Sequence, residues 1–241
     1  MIKVENLTKK FGKLTVLDDV NLHLTGRGCI SLIGPNASGK TTLIKSVLGL
    51  VVPDSGRILI KGSDIQGDWK YRKDIGYMPQ IGRYPDNMTI GQLFKMLIDI
   101  RQSTWEQCDK ELMDLFEIDK IRTKRLGTLS GGTRQKISAV LAFLFNPDIL
   151  ILDEPTAGLD PVACEILKEK MILEIQRGKL ILITSHVLSD LDELVSEVIF
   201  LQDGKINFHK SFDQLRKDTG EERLSRAIAK VMGYKGHAQN I

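Results

Sequence analysis

Hydrophobic residues along the chain fall into short runs whose spacing predicts β-strands. Val20, Leu22 and Leu24 alternate with polar residues, which is typical of a strand with one buried face. The apolar run at 29–33 is closed by a Gly-Pro pair, as expected for a buried strand that leads into a loop. The predicted strands are 2–7, 16–24, 29–33, 57–61, 75–78, 148–152 and 179–184, with a hairpin formed by 197–202 and 205–208.

Helical spacing follows several of these strands. Pro161 suits the first turn of a helix, and Thr89 suits an N-cap after which the pattern stays helical to residue 145, with its main interruption at 127–132. Strands that alternate with helices predict an α/β fold with a mainly parallel sheet, into which a helical block at about 82–146 is inserted. The other predicted helices are 42–50, 161–176 and 189–195.

The composition is that of an ordinary globular protein. Of 241 residues, 42% are hydrophobic and 27% are charged, which excludes disordered and fibrous classes. Lys and Arg total 34 against 31 Asp and Glu, and the net charge of +3 gives no reason to expect a nucleic-acid partner. Three widely separated cysteines lack metal-site spacing, and no apolar run reaches about 18 residues. We therefore expect a cytoplasmic protein that does not itself span a membrane.

A glycine-rich loop at 34–41 matches the pattern GxxxxGK[ST] and lies between a predicted strand and a predicted helix. In such a loop, backbone amides and the helix N-terminus bind phosphate oxygens. Lys40 would reach the β- and γ-phosphates of a bound nucleotide, and the Thr41 hydroxyl would ligate Mg²⁺. A glycine-rich turn with an accidental lysine is the structural alternative. The predicted nucleotide-binding residues of the loop are Gly34, Pro35, Asn36, Ala37, Ser38, Gly39, Lys40, Thr41 and Thr42.

Two adjacent carboxylates follow the predicted strand at 148–152. Asp153 would hold Mg²⁺, directly or through water, while Glu154 would polarise the water that attacks the γ-phosphate. Capping of the helix that starts at Pro161 is an alternative role for either residue, but it explains poorly why both are present. Together with the glycine-rich loop, the pair predicts a Mg-nucleotide triphosphatase with a P-loop NTPase core.

A third motif, at 129–132, lies between these two and opens a predicted helix at 133–145. With it the chain resembles the ATP-binding subunit of ABC transporters, from about residue 2 to 216. The resemblance implies a head-to-tail dimer with a second copy or a paralogue, in which Ser130, Gly131 and Gly132 contact the ATP held by the partner. On its own, Ser-Gly-Gly at the start of a helix is usually an N-cap.

The resemblance also implies a domain organisation. One ATPase domain would cover residues 1–220, with an N-terminal antiparallel β-subdomain and the helical subdomain inserted at about 82–146. The stretch 221–241 is polar and punctuated by glycine near its end, which predicts a C-terminal helix and a flexible tail.

Four further positions match the family residue by residue. The resemblance assigns Gln80 to Mg²⁺ and the attacking water, and His186 to the γ-phosphate. It places Asp160 on a loop directed toward the partner's site, and Phe11 against the adenine ring. The structural alternatives are a polar loop residue for Gln80, a helix cap for His186 and a core aromatic for Phe11.

Two positions depart from the family's pattern. Ala37 stands where glycine is common, and if that position needs a positive φ, alanine costs on the order of 1 kcal/mol. Thr133 stands where glutamine usually follows Ser-Gly-Gly, which implies fewer contacts across the dimer and slower hydrolysis. Neither departure removes a catalytic group, so we expect ATP hydrolysis.

The resemblance also implies a separate membrane permease, docked in a groove that residues 81–88 and the start of the next helix would line. The protein would then be peripheral at the inner face of the plasma membrane. Residues 83–85, 133–135 and 185–188 are similar to exporter-type bacterial two-component systems, and among these to the copper-processing ATPase of nitrous-oxide reductase maturation.

Other triphosphatase classes fit less well. A soluble ABC-type machine that acts on nucleic acid or the ribosome would usually need a long coiled-coil insertion or tandem ATPase halves, which 241 residues do not accommodate. A small-molecule kinase would leave 129–132 and His186 unused. A GTPase would need an Asn-Lys-x-Asp motif to recognise guanine, and the sequence contains none.

Overall fold

The computed structural model describes residues 1–185 and 193–232. Its N-terminal part is an antiparallel sheet, as the family resemblance implies, with the strand order β2-β1-β4-β5. Val20, Leu22 and Leu24 are buried at alternate positions of the second strand. The strands of this sheet are β1 (Ile2–Phe11), β2 (Leu14–Leu24), β4 (Ser55–Ile60) and β5 (Ser63–Asp64).

A second sheet has six strands in the order β10-β9-β3-β8-β7-β6. Every neighbouring pair in it is parallel except β9 and β10, which form the predicted hairpin. Its strands are β3 (Gly28–Ile33), β6 (Ile75–Met78), β7 (Ile149–Asp153), β8 (Leu180–Thr184), β9 (Val195–Gln202) and β10 (Lys205–Ser211). Because β3, β7 and β8 run in the same direction, the segments that follow them meet at one edge of the sheet.

Helices cover both faces of this second sheet. Helix α2 starts after Thr89, whose side chain forms a capping box with Gln92, and α5 starts at Pro161, so both predicted starts are confirmed. The helices in the described residues are α1 (Lys40–Val47), α2 (Ile90–Arg101), α3 (Glu111–Leu115), α4 (Gly131–Phe143), α5 (Pro161–Gln176), α6 (Phe212–Thr219) and α7 (Leu224–Val231). In those ranges no helix is both long and apolar enough to cross a membrane.

The helical insertion is more broken than its sequence pattern predicts. Helix α2 ends at Gln102, which adopts a left-handed conformation, and a second left-handed residue, Glu117, follows the short α3. Turns of 3₁₀-helix replace α-helix at 105–107, 118–121 and 126–128. A predicted helix at 189–195 is wrong at its end, because Val195 begins β9; residues 186–192 lie outside the described part of the chain.

Two apolar clusters pack on the two faces of the second sheet. Along β3, Ile30 and Leu32 join the cluster that includes the antiparallel sheet and α1, whereas Cys29 and Ile33 join the one formed with α2 to α5. Strands buried on both faces explain the continuous apolar runs of the sequence. The sheet therefore has an apolar core on both faces, which fixes the edge where the carboxyl ends of its strands meet.

Candidate nucleotide-binding site

The loop between β3 and α1 has the backbone that phosphate binding needs. Gly34 and Gly39 have φ values of 155° and 106°, and a Cβ at Gly34 would overlap the carbonyl oxygen of Leu201. Helix α1 begins directly after the loop, at Lys40. The amides of its first turn and its positive dipole end thus lie at the sheet edge where an anion would be bound.

Ala37 adopts the left-handed conformation, with a φ of 63°. Position 37 therefore has the positive φ that favours glycine over alanine. A non-glycine residue in this region costs on the order of 1 kcal/mol, because its Cβ approaches the following carbonyl oxygen. The loop keeps its shape at the expense of local strain.

The Lys40 ammonium lies over the loop. Its Nζ donates to the carbonyl oxygens of Gly34 at 2.7 Å and Pro35 at 2.9 Å. Burial lowers the pKa of Lys40, and the nearby carboxylates of Glu154 and Asp153 act in the opposite direction. A partly desolvated cation held beside a phosphate-binding loop is well suited to contact phosphate oxygens.

The two predicted carboxylates lie at the adjacent strand end. Asp153 is the last residue of β7, and its Oδ1 accepts a hydrogen bond from the Thr184 hydroxyl. Glu154 is only 9% exposed and has a φ of 52°; its backbone N–H donates to the carbonyl oxygen of Thr184 at 3.1 Å. The neighbouring strand end at Thr184 thus orients both acidic residues.

A cleft of about 340 Å³ brings these groups together. Besides residues 36–42 of the loop, Gln80, Asp153 and Glu154 line it, so the structure gathers most of the predicted catalytic and metal-binding set in one place. Sequence reasoning missed three lining residues, Leu14, Val16 and Thr184. For Thr184, its position at the end of a buried strand was an available signal.

Phe11 lies beside this cleft rather than in its wall. It ends β1, pairs with Leu14 across the β1–β2 hairpin and is 52% exposed. The Lys9 ammonium lies 5.3 Å from its ring centroid. The aromatic ring is therefore not a core residue, and it remains available at the hairpin end next to the apolar wall formed by Leu14 and Val16.

The predicted partner-facing residues do not line the cleft. Ser130 Oγ accepts from the Thr133 N–H at 3.3 Å at the exposed start of α4, and Asp160 accepts from the Ala163 N–H at 2.9 Å at the start of α5. The two segments are neighbours, since a Cβ at Gly132 would lie 2.9 Å from the carbonyl oxygen of Gly158. His186 lies outside the described residues.

The residues of the cleft fit a magnesium triphosphate. Ser38 Oγ is buried and has no hydrogen-bond partner among the described residues, although it lies inside the loop that would surround the phosphates. Hydroxyl, amide and carboxylate oxygens of Thr41, Gln80 and Asp153 are the hard ligands that Mg²⁺ prefers. Lys40 would supply the cation for the phosphate oxygens.

Comparison with known proteins shows the family of the chain. The family model described as "ABC transporter" matches residues 17–157, which include the glycine-rich loop, Gln80, the 129–132 motif and both carboxylates. The chain is 34% identical to the ABC transporter ATP-binding protein YtrB of Bacillus subtilis over 223 residues, 90% of this chain and 74% of that one. It is 29% identical to the Nod factor export ATP-binding protein I of Ralstonia nicotianae over 209 residues, 85% of this chain but only 65% of that one.

Solved structures share the fold. A structure described as the ATP-binding subunit of an ABC transporter aligns with a TM-score of 0.89 at 26% identity, over 96% of this chain and 99% of that one. A dimeric ATP-binding cassette in a post-hydrolysis state, bound to ADP and Pi, aligns at 0.77 with 24% identity, over 88% of this chain and 98% of that one. The chain therefore belongs to the ABC transporter family, as an ATP-hydrolysing, ATP-binding subunit.

Proposed function

We propose that this ATPase works as a head-to-tail dimer that closes around two Mg-ATP molecules and drives a separate membrane permease. One observation carries the proposal. The cleft gathers Lys40, Asp153 and Glu154, while Ser130 and Asp160 lie at exposed helix starts outside it. A second copy is needed for those helix starts to reach a nucleotide.

The cleft residues divide the chemistry among them. Lys40 and the loop amides hold the phosphate oxygens, and Thr41, Gln80 and Asp153 hold Mg²⁺. Held by those three residues, Mg²⁺ would supply positive charge against the charge that develops on the phosphate oxygens. Glu154 accepts a proton from the water that attacks the γ-phosphorus, so the bond to the leaving ADP oxygen breaks as the new P–O bond forms.

Three assignments extend this scheme. At the start of α4, the first-turn amides of Gly131 and Gly132 bind the γ-phosphate held by the other copy, because an exposed helix N-terminus attracts anions. Phe11 stacks on the adenine ring from the hairpin end. His186 lies outside the described residues, and its assignment to the γ-phosphate of its own site rests on the family resemblance alone.

The permease docks in a groove of about 520 Å³ between the core and the helical insertion. Apolar side chains of α2, among them Leu93 and Met96, line it together with Tyr84 and Pro85 of the predicted 81–88 segment. The lining includes four cationic residues and, in the described part of the chain, no carboxylate. We therefore expect an apolar permease segment that carries acidic residues. The cationic residues are Arg72, Lys73, Arg83 and Arg101.

Export is the direction that we favour, because a relative is named a Nod factor export ATP-binding protein. Docking on a permease would make the protein peripheral at the inner face of the plasma membrane. The copper-processing assignment rests on the resemblance of 83–85, 133–135 and 185–188 alone and stays a prediction. The proteins encoded by neighbouring genes would identify the cargo.

Glu154→Gln tests the dimer. The variant should bind ATP and accumulate as a stable dimer, because the closed state forms but cannot be discharged by hydrolysis. Size-exclusion chromatography with light scattering would show a dimer with Mg-ATP and a monomer with Mg-ADP. A monomer at saturating Mg-ATP would contradict the proposed function.

A further inference from the structure

An ion pair joins the two segments that face the partner. Lys136, in the second turn of α4, has its Nζ 2.7 Å from Oδ2 of Asp160. The other carboxylate oxygen of Asp160 accepts from the Ala163 N–H at 2.9 Å and so caps α5. The position of Asp160 is therefore set from two sides, by α5 and by α4.

This contact lies within a larger packing of the two segments. Gly132, one turn before Lys136, lies against the carbonyl oxygen of Gly158, where an added Cβ would be 2.9 Å away. The Lys136 ammonium also lies 5.7 Å from the Phe116 ring centroid in the helical insertion. The loop before Asp160 is thus attached to the first two turns of α4, and Lys136 also links α4 to the end of α3.

The ion pair is poorly placed to stabilise the fold. The Lys136 side chain is 27% exposed and that of Asp160 is 51% exposed, and ion pairs at such positions contribute little to stability. The ion pair instead fixes the relative position of two segments, because it joins α4 to the loop before α5.

We propose that Lys136 is a positioning residue that holds Asp160 and its loop against the start of α4, so that both segments meet the partner's nucleotide as one unit. The inference rests on the proposed ATP-bound dimer. Without the lysine, Asp160 still caps α5, but its loop is no longer fixed relative to Ser130. Closure of the dimer then has to order two segments instead of one, which weakens closure and leaves ATP binding to the monomer unchanged.

Lys136→Met tests this inference, with Lys168→Met as the matched control. Lys168 forms an ion pair with Glu165 at 2.9 Å, and its side chain is 23% exposed, but that pair lies within α5. In the Glu154→Gln background, the ATP concentration at half-maximal dimer should rise roughly fivefold to tenfold for Lys136→Met. It should stay unchanged for Lys168→Met, and Lys136→Arg should restore it.

Three further measurements separate positioning from a structural role. With Glu154 intact, kcat should fall by a similar factor, while calorimetric ATP affinity of the monomer stays the same. The unfolding temperature of Lys136→Met should match that of Lys168→Met. Asp160→Asn keeps the cap but weakens the ion pair, so combining it with Lys136→Met should add little to either single change.

The outcomes are distinguishable. If Glu154→Gln forms the ATP dimer and Lys136→Met weakens it no more than Lys168→Met, the inference about Lys136 is overturned and the proposed function stands. Additive effects of Lys136→Met and Asp160→Asn would overturn it as well. If Glu154→Gln does not dimerise at all, both proposals fall.

Discussion

The cleft and the start of α4 represent two ways of presenting the proposed phosphate-binding groups. In the cleft, residues from β3, β7 and β8 converge because these strands are parallel and buried. At the start of α4, Ser130 and Gly131 are exposed, and a single turn of 3₁₀-helix at 126–128 precedes them. The first region can hold a ligand alone, whereas the second is built to meet one from outside.

This difference separates binding from closure. Changes to the proposed phosphate-binding groups of the cleft, such as Lys40, should act on the affinity of each copy for nucleotide. Changes at the start of α4 act only when two copies meet. Variants of those cleft groups should therefore lose ATP affinity, whereas variants of the start of α4 should lose hydrolysis and keep ATP affinity.

Lys40→Ala should have the largest effect, because it removes the cation that faces the phosphates. We expect ATP affinity to fall about 100-fold or more, as for loss of charge-assisted hydrogen bonds. Isothermal calorimetry measures this directly. Lys45→Ala, on the exposed side of the same helix, is the control and should bind as the unmodified protein does. Equal affinities for the two variants would refute the phosphate-loop assignment.

Ser130→Arg should reduce kcat about 100-fold, since the long side chain blocks the helix start that completes the partner's site. Calorimetric ATP affinity of the monomer should not change, because Ser130 does not line the cleft. Thr123→Arg, at an exposed position of the same insertion, serves as the control. Hydrolysis at the normal rate in Ser130→Arg would show that the two sites are not shared between copies.

Ala37→Gly should have the smallest effect of the three changes, and unlike the other two it should improve a property of the protein, its stability. Relief of the left-handed strain should raise the free energy of unfolding by about 0.5–1 kcal/mol, despite the greater freedom of glycine in the unfolded chain. Ala229→Gly, inside α7, should lower it by a similar amount. Urea unfolding measures both changes. Destabilisation of Ala37→Gly would mean that the residue is not strained.

Much of the fold could be predicted because its signals are local. Continuous apolar runs identified β3, β7 and β8, and Pro161 and Thr89 marked helix starts correctly. The breaks in the insertion could not be predicted in the same way. They occur at Gln102 and Glu117, residues that adopt left-handed conformations without the glycine that usually signals one.

The sequence by itself predicted the roles proposed for the phosphate loop and for Asp153 and Glu154, because each motif is a short stretch whose neighbours along the chain set its backbone. Tertiary structure decided which other groups join them. Thr184 reaches Asp153 only because β7 and β8 are adjacent, and Lys136 reaches Asp160 only because α4 packs beside the start of α5. Contacts between residues far apart in the chain depend on the packing of whole elements, which local patterns do not encode.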